Sequence, residues 1–168
     1  MLWSVPLLAK LASPPQQLPA AGLYTWALPP TDTSVGPVGF SYGSASVSKK
    51  GSVTFSMNLA DGISPAIVLV KTLAADSSIP IFASLYGGKG VIMGWVQFET
   101  DTNFIPGYKL DLESSNVFWT KLPGPGIAYT NGFDSSISPF TLVGSFYKPS
   151  SASTNRLGSD LSKGTVLT

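Results

Sequence analysis

The chain has 168 residues, of which 43% are hydrophobic and only 11% are charged, and its formal net charge is +1. This length fits one domain with a sizeable core. The basic residues are spread along the chain, so we expect the protein to bind neither nucleic acid nor an anionic membrane surface. The chain contains no run of eighteen apolar residues, so the sequence predicts no transmembrane helix. Cysteine and histidine are both absent, which excludes disulfides, thiolate chemistry and a histidine base.

Residues 1–21 are predicted to form an apolar N-terminal segment followed by a proline-rich linker. The prolines between residues 13 and 19 fix φ and exclude a helix. No basic stretch precedes the apolar residues, and Pro6 and Lys10 interrupt them, so a signal peptide is not expected. We expect the apolar segment to add as a strand to the sheet edge of a neighbouring copy. Its apolar side chains are Trp3, Val5, Leu7, Leu8 and Leu11.

Residues 22–148 are predicted to form the β-domain, because short apolar runs alternate with turn residues. The clearest run is 52–59, in which every second side chain from Val53 onward is apolar and the others are polar. A period of two is typical of a half-buried strand. The predicted strands span residues 22–28, 41–48, 52–59, 65–73, 79–86, 91–99, 108–113, 116–122 and 139–147. Residues 149–168 are predicted to be a polar C-terminal tail.

The spacing of these strands predicts an all-β, antiparallel up-and-down meander of about eight strands that closes into a small barrel. A sandwich of two sheets is the alternative. The predicted strands 79–86 and 91–99 carry apolar side chains on both faces. Such strands need a cover outside as well as a core inside, and the terminal segments or a neighbouring copy could provide it.

The stretch from Tyr42 to Tyr147 contains several short motifs, and together they resemble a β-rich repeat module of very large secreted or surface-anchored bacterial proteins. The resemblance implies an extracellular or cell-surface location and a structural or adhesive role, and it supplies no catalytic residue. The first forty residues depart from the pattern. The motifs include Gly43-Ser44-Ala45-Ser46-Val47-Ser48, Lys50-Gly51-Ser52-Val53-Thr54-Phe55-Ser56, Leu59-Ala60-Asp61-Gly62, Ser84-Leu85-Tyr86-Gly87-Gly88-Lys89-Gly90, Gly94-Trp95-Val96-Gln97-Phe98, Trp119-Thr120-Lys121 and Gly144-Ser145-Phe146-Tyr147.

One sequence match points to nucleophilic catalysis. Residues 39–43 fit the G-x-S-x-G pattern, with Ser41 in the nucleophile position. That chemistry requires a strand-to-helix turn and a base that takes the serine proton. The chain has no histidine, and the residues after Gly43 predict a strand. We therefore interpret the match as coincidental and expect no catalytic residue and no enzymatic activity.

A cation site is predicted at the end of strand 91–99. Glu99, Asp101 and Asn103 follow one another at every second position, a spacing that can place oxygen ligands around Ca²⁺. The glycine and the distant glutamate of an EF-hand loop are absent, so a plain polar loop is the alternative. No other cofactor is expected.

Aromatic residues offer a second candidate site. Trp119, Tyr108 and Tyr129 could form a flat platform for sugar rings, although aromatic side chains of β-proteins usually belong to the core. The sequence therefore predicts a non-catalytic structural or adhesive module that assembles with neighbouring copies or domains through strand pairing. A carbohydrate-binding module is the alternative, with a glycan as its partner.

Overall fold

The computed structural model describes residues 10, 17–30, 36–63, 65–100, 111–124, 128–136 and 138–147. In these ranges all regular structure is β-strand, and no helix is present that could cross a membrane. The strands are β1 (Gly22–Leu28), β2 (Ser41–Val47), β3 (Ser52–Asn58), β4 (Ile67–Thr72), β5 (Ser78–Leu85), β6 (Gly90–Phe98), β7 (Leu112–Lys121), β8 (Phe133–Asp134) and β9 (Phe140–Tyr147).

The described strands form one antiparallel sheet in the order β4-β3-β2-β1-β9-β7-β6-β5, and the short β8 pairs with β7 outside this path. Apart from the short β8, chain neighbours are sheet neighbours along both arms of the path, and the pairing of β1 with β9 joins the two arms. The predicted all-β antiparallel meander with eight main strands is therefore confirmed. The strands belong to one sheet, so the alternative with two packed sheets is not adopted.

The two ends of the path, β4 and β5, follow each other in the chain and lie side by side. In their connection the N–H of Ala74 donates to the carbonyl of Ser78 at 2.8 Å. The ladders of the described strands pair β4 with β3 and β5 with β6. The ring of strands therefore has a seam between β4 and β5, where adjacency comes from the connection rather than from a ladder.

Inward-facing side chains from all eight main strands form a single core. The predicted alternation in β3 is confirmed, because Val53, Phe55 and Met57 are all at most 1% exposed. Trp26 of β1 stacks on Phe55 with ring centroids 5.0 Å apart. Each large apolar side chain buried in this way contributes about 2 kcal/mol. Burial of these apolar side chains is therefore the main favourable contribution to the stability of the fold.

The predicted hairpin around residues 114 and 115 is wrong. A single strand, β7, runs through this point, and its register shifts between Ser114 and Val117 against β9 and between Met93 and Gln97 against β6. A pair of serines fits a bulge as well as it fits a turn, so local sequence does not distinguish the two. At Gly94 a Cβ atom would lie 2.8 Å from the Asn116 carbonyl oxygen, so glycine lets the irregular part of β7 approach β6.

The strands β5 and β6 are apolar on both faces, as predicted. On the outside, Phe82 of β5 lies in register with Met93 of β6, which lies in register with Phe118 of β7. Phe82 is 57% exposed and Met93 is 39% exposed, while Phe118 is half-buried. We call these three side chains the outer row. They cross three neighbouring strands on the face away from the core.

Candidate functional site

Three of the sequence motifs meet at one end of the sheet. Asp61 lies in the turn after β3, Tyr86 lies in the turn between β5 and β6, and Trp119 and Lys121 lie on β7. Hydrogen bonds and a cation–π contact connect these four side chains. We call them the Tyr86 cluster. The fold thus joins segments that are separated by up to 60 positions in the chain.

The Tyr86 hydroxyl group is the centre of the cluster. It donates a hydrogen bond to Asp61 Oδ2, and it accepts one from Trp119 Nε1 at 3.1 Å. The second carboxylate oxygen of Asp61 accepts the N–H of Ile63 at 3.2 Å, which fixes the turn. Each partner therefore has a defined donor or acceptor role.

The pKa of the Tyr86 hydroxyl lies well above its ordinary value of 10.0. Burial is the largest cause, and the hydrogen bond to Asp61 and the charge of Asp61 act in the same direction, whereas the hydrogen bond from Trp119 opposes them. The hydroxyl therefore keeps its proton throughout the physiological pH range. It acts as a permanent donor to Asp61.

The turn that carries Tyr86 needs the glycines that follow it. Tyr86 has a φ of 55°, and Gly87 and Gly88 continue in the left-handed region with φ values of 65° and 88°. At Gly90 a Cβ atom would lie 2.6 Å from the Tyr86 ring and 2.4 Å from the Thr120 carbonyl oxygen. The Gly-Gly-Lys-Gly segment therefore serves the packing of the tyrosine ring, and its prediction as a hairpin turn is confirmed.

Lys121 is a buried cation, only 7% exposed, at the edge of the cluster. Its Nζ donates to the carbonyl oxygens of Ala128 at 2.8 Å and Tyr129 at 2.7 Å, and it lies 5.4 Å from the centroid of the Tyr86 ring. A buried charge is tolerated only with such partners. The Tyr129 hydroxyl in turn accepts the N–H of Val38 at 3.1 Å. The cluster thereby ties the loop after β7 to the sheet.

Ser41, the residue in the nucleophile position, has a structural role. It is 1% exposed, and its Oγ accepts the N–H of Ala60 at 3.0 Å. At Gly43 a Cβ atom would lie 2.6 Å from the Trp26 ring, so this glycine makes room for a core aromatic side chain. The serine and the second glycine of the G-x-S-x-G pattern are thus both accounted for by packing and hydrogen bonding.

The predicted sugar platform is wrong for Trp119. Its side chain is 1% exposed and packs edge-to-face on Phe133, with ring centroids 5.0 Å apart. The reason is strand parity, because Trp119 faces inward between the equally buried Val117 and Lys121. Tyr129 is half-buried against Phe133, and Tyr108 lies outside the described residues. The carbohydrate alternative thereby loses its central residue.

The predicted cation site is described only at Glu99, whose carboxylate accepts the N–H of Thr100 at 2.9 Å. Asp101 and Asn103 lie outside the described residues. Within the described ranges, no group of three or more acidic, histidine or cysteine side chains could hold a metal ion. The predicted assembly residues also lie outside the described part of the chain: Trp3, Val5, Leu7, Leu8 and Leu11.

A second set of polar contacts was not predicted. Lys10 Nζ lies 2.7 Å from Asp76 Oδ2 and 2.9 Å from Ser78 Oγ, and it lies 4.6 Å above the ring of Trp95 on the outer face of β6. We call these four residues the Lys10 clasp. The sequence feature that could have indicated this contact is Lys10, a single lysine in an otherwise uncharged apolar segment. Its partner Asp76 could not be identified from local sequence, because the two residues are more than 60 positions apart.

The pKa of Asp76 lies below its ordinary value. Burial acts in the opposite direction, but hydrogen bonds from Lys10 and Ser78 and the charge of Lys10 together outweigh it. The Asp76 side chain is 50% exposed, so solvent screens the ion pair. The clasp is therefore a specific attachment with modest strength.

Comparisons of the chain with protein-family models, with curated proteins and with solved structures found no match. The fold and the two polar clusters are thus the features from which a function is to be inferred.

Proposed function

We propose that this chain is a non-catalytic structural or adhesive module of an extracellular bacterial protein, and that it associates with neighbouring copies or domains through the edge of β4 at the seam. One observation supports the association most directly. Val68 and Val70 point outward from β4 and are 58% and 69% exposed.

The exposed valines lie on β4, which is a strand at the end of the sheet path. An added strand would pair with β4 inside the seam, where no ladder of the described strands joins β4 to β5, and the side chains beside it would supply apolar contact. Natural edge strands are often protected by charged side chains that point outward or inward, by prolines, by bulges or by a covering segment. The outward positions of β4 carry Val68, Val70 and Thr72, whereas Lys71 falls on the half-buried inner side. The strand therefore lacks the usual outward protection.

The non-catalytic character of the proposal rests on the polar groups already described. Ser41 bonds a backbone amide, and Asp61, Tyr86 and Lys121 are used to hold turns and loops. The extracellular and adhesive character rests on the resemblance to bacterial surface modules, three motifs of which supply the Tyr86 cluster. Antibody labelling of intact cells that express the protein tests the location, and labelling only after lysis would contradict it.

Substitution of Val70 by lysine tests the β4 edge. We expect the parent chain to self-associate with rising concentration and Val70→Lys to shift the equilibrium toward monomer by about tenfold or more, because an outward-facing lysine on an edge strand disfavours pairing with another strand. Multi-angle light scattering after size exclusion measures the shift.

Tyr42→Lys is the matched control, because Tyr42 is 61% exposed on β2, away from the seam. This variant should associate like the parent. A parent that stays monomeric at millimolar concentration, or equal effects of the two lysines, would contradict association through β4.

A further inference from the structure

The outer row is an apolar surface on the face of the sheet away from the core, and Phe82 is 57% exposed there. Phe82, Met93 and Phe118 lie side by side across β5, β6 and β7. The next cross-strand pair on the same face, Pro80 and Trp95, is also apolar. The outer face of these strands therefore presents two neighbouring rows without a charged side chain.

The Lys10 clasp fixes a point of the N-terminal region beside this surface. Lys10 contacts Trp95 and Ser78, which belong to the two strands that carry Phe82 and Met93. Residues 17–20 are also attached near the seam, since Ser77 Oγ donates to the Gln17 carbonyl at 3.0 Å. The chain thus reaches the outer face of β5 and β6 at Lys10, with residues 1–9 preceding it.

We propose that the outer row is the docking surface for residues 1–9 of the same chain, anchored by the Lys10 clasp. These nine residues lie outside the described part of the structure. They contain no charged side chain and include Trp3, Val5, Leu7 and Leu8. The segment and the surface therefore match in chemistry, and burying Phe82 and Met93 removes apolar area from water.

The distances allow this arrangement. Met93 and Phe82 lie two positions beyond Trp95 and Pro80 along their strands, which corresponds to about 7 Å. Nine residues in extended conformation reach up to about 30 Å. The segment can therefore cross the whole outer row from Lys10 without strain.

The location of Lys10 favours the same chain over a second copy. Its ion pair with Asp76 and its contact with Trp95 are both made within one chain, so residues 1–9 begin at the surface that they would cover. An intramolecular segment also has a high effective concentration at this surface. This proposal is independent of the β4 edge and goes beyond the proposed function.

Thiol crosslinking tests the proposal, because the chain has no cysteine and introduced thiols are unique. We pair Leu7→Cys with Met93→Cys and treat the full-length protein with a short bis-maleimide. The expected result is an intramolecular link between positions 7 and 93 in most monomers, identified by peptide mass spectrometry. Leu7→Cys paired with Tyr42→Cys is the control, since Tyr42 is more exposed than Met93, at 61% against 39%, but lies on β2. Equal linkage to positions 93 and 42 would overturn the proposal.

A mixture of isotope-labelled and unlabelled protein separates the two possible occupants. Links within one chain join only peptides with the same label, as we expect, whereas in an equimolar mixture about half of the links between chains join peptides with different labels. A mixed fraction that approaches half of all links would overturn the proposal in favour of a second copy.

The role of the clasp has its own readout. Lys10→Met should lower the yield of the link between positions 7 and 93 about two- to fivefold, the range expected for an exposed ion pair, and Lys10→Arg should retain it. Val70→Lys, which tests the β4 edge, should leave this yield unchanged. An unchanged yield in Lys10→Met would contradict the anchoring.

Discussion

Two buried tryptophans, Trp26 and Trp119, show how single residues contribute differently to the same core. Trp119 donates its indole N–H to Tyr86, whereas Trp26 Nε1 has no hydrogen-bond partner among the described residues. Both rings are at most 5% exposed. The two rings therefore gain similar stability from apolar burial, and they differ in whether the indole N–H has a hydrogen-bond partner.

We expect Trp119→Phe to destabilise the protein more than Trp26→Phe. The first change breaks a hydrogen bond and removes one partner of the Tyr86 hydroxyl, so it should cost about 3 kcal/mol; the second removes an unpaired N–H along with ring volume and should cost about 1 kcal/mol. Urea denaturation measures both free energies of unfolding. Equal losses, or the reverse order, would show that Trp119 Nε1 contributes no net stability.

At the scale of elements, the turn between β5 and β6 connects local backbone geometry with the Tyr86 cluster. Gly88 and Gly90 serve this turn for different reasons. Gly88 has a positive φ and open space around its Cβ position, whereas at Gly90 a Cβ atom would meet the Tyr86 ring. The two positions therefore separate the cost of backbone conformation from the cost of steric overlap.

Gly90→Ala should destabilise the protein by about 3 kcal/mol, because the methyl group displaces the Tyr86 ring and the Thr120 carbonyl limits any adjustment. Gly88→Ala should cost about 1 kcal/mol, the strain of a left-handed alanine. Thermal unfolding compares the two variants. The hydrogen bond from Trp119 to Tyr86 should weaken only in Gly90→Ala, which the indole N–H resonance reports. A larger loss in Gly88→Ala would contradict the packing role of Gly90.

The Lys10 clasp is an element that should respond to pH. Asp76 has a folded-state pKa below its ordinary value, so its stabilising contribution is present above the unfolded carboxyl pKa of about 4 and is lost as the pH falls through the lower folded value. We expect Lys10→Met to move the titration midpoint of Asp76 upward, toward the ordinary value. Carbon-detected NMR of the carboxyl group measures it. An unchanged midpoint would show that Lys10 does not stabilise the ionised form in solution.

At the scale of the whole molecule, the seam and the outer row are two of the places where large apolar side chains are exposed in the described ranges. Val68 and Val70 lie on one side of the seam, and Phe82 and Met93 belong to the strands on the other side. None of these four side chains belongs to the buried core. We therefore expect the interactions of this protein to involve the outside of its sheet. The β4 edge and the outer row are separate surfaces: the Val70→Lys substitution tests the first, and thiol crosslinking tests the second.

Local sequence was sufficient for the class of fold and for most strand positions. The alternation in β3 and the Gly-Gly-Lys-Gly turn depend on side-chain parity and backbone φ, which are properties of neighbouring residues. The same local pattern failed at residues 114 and 115, because a bulge and a turn use the same residue types. It also could not tell whether Trp119 faces the core, since the parity of a strand is set by its register against its neighbours.

The sequence by itself determined an antiparallel meander without a histidine-based catalytic site, because hydrophobic periodicity, turn residues and residue absences are all local or compositional. Only the tertiary structure decided that Asp61, Tyr86 and Lys121 would meet, and that Lys10 would reach Asp76. These contacts span large distances in the chain, and their formation depends on which strands become neighbours. Strand order is set by the packing of the whole core, so the polar clusters that hold the turns and the N-terminal region follow from it.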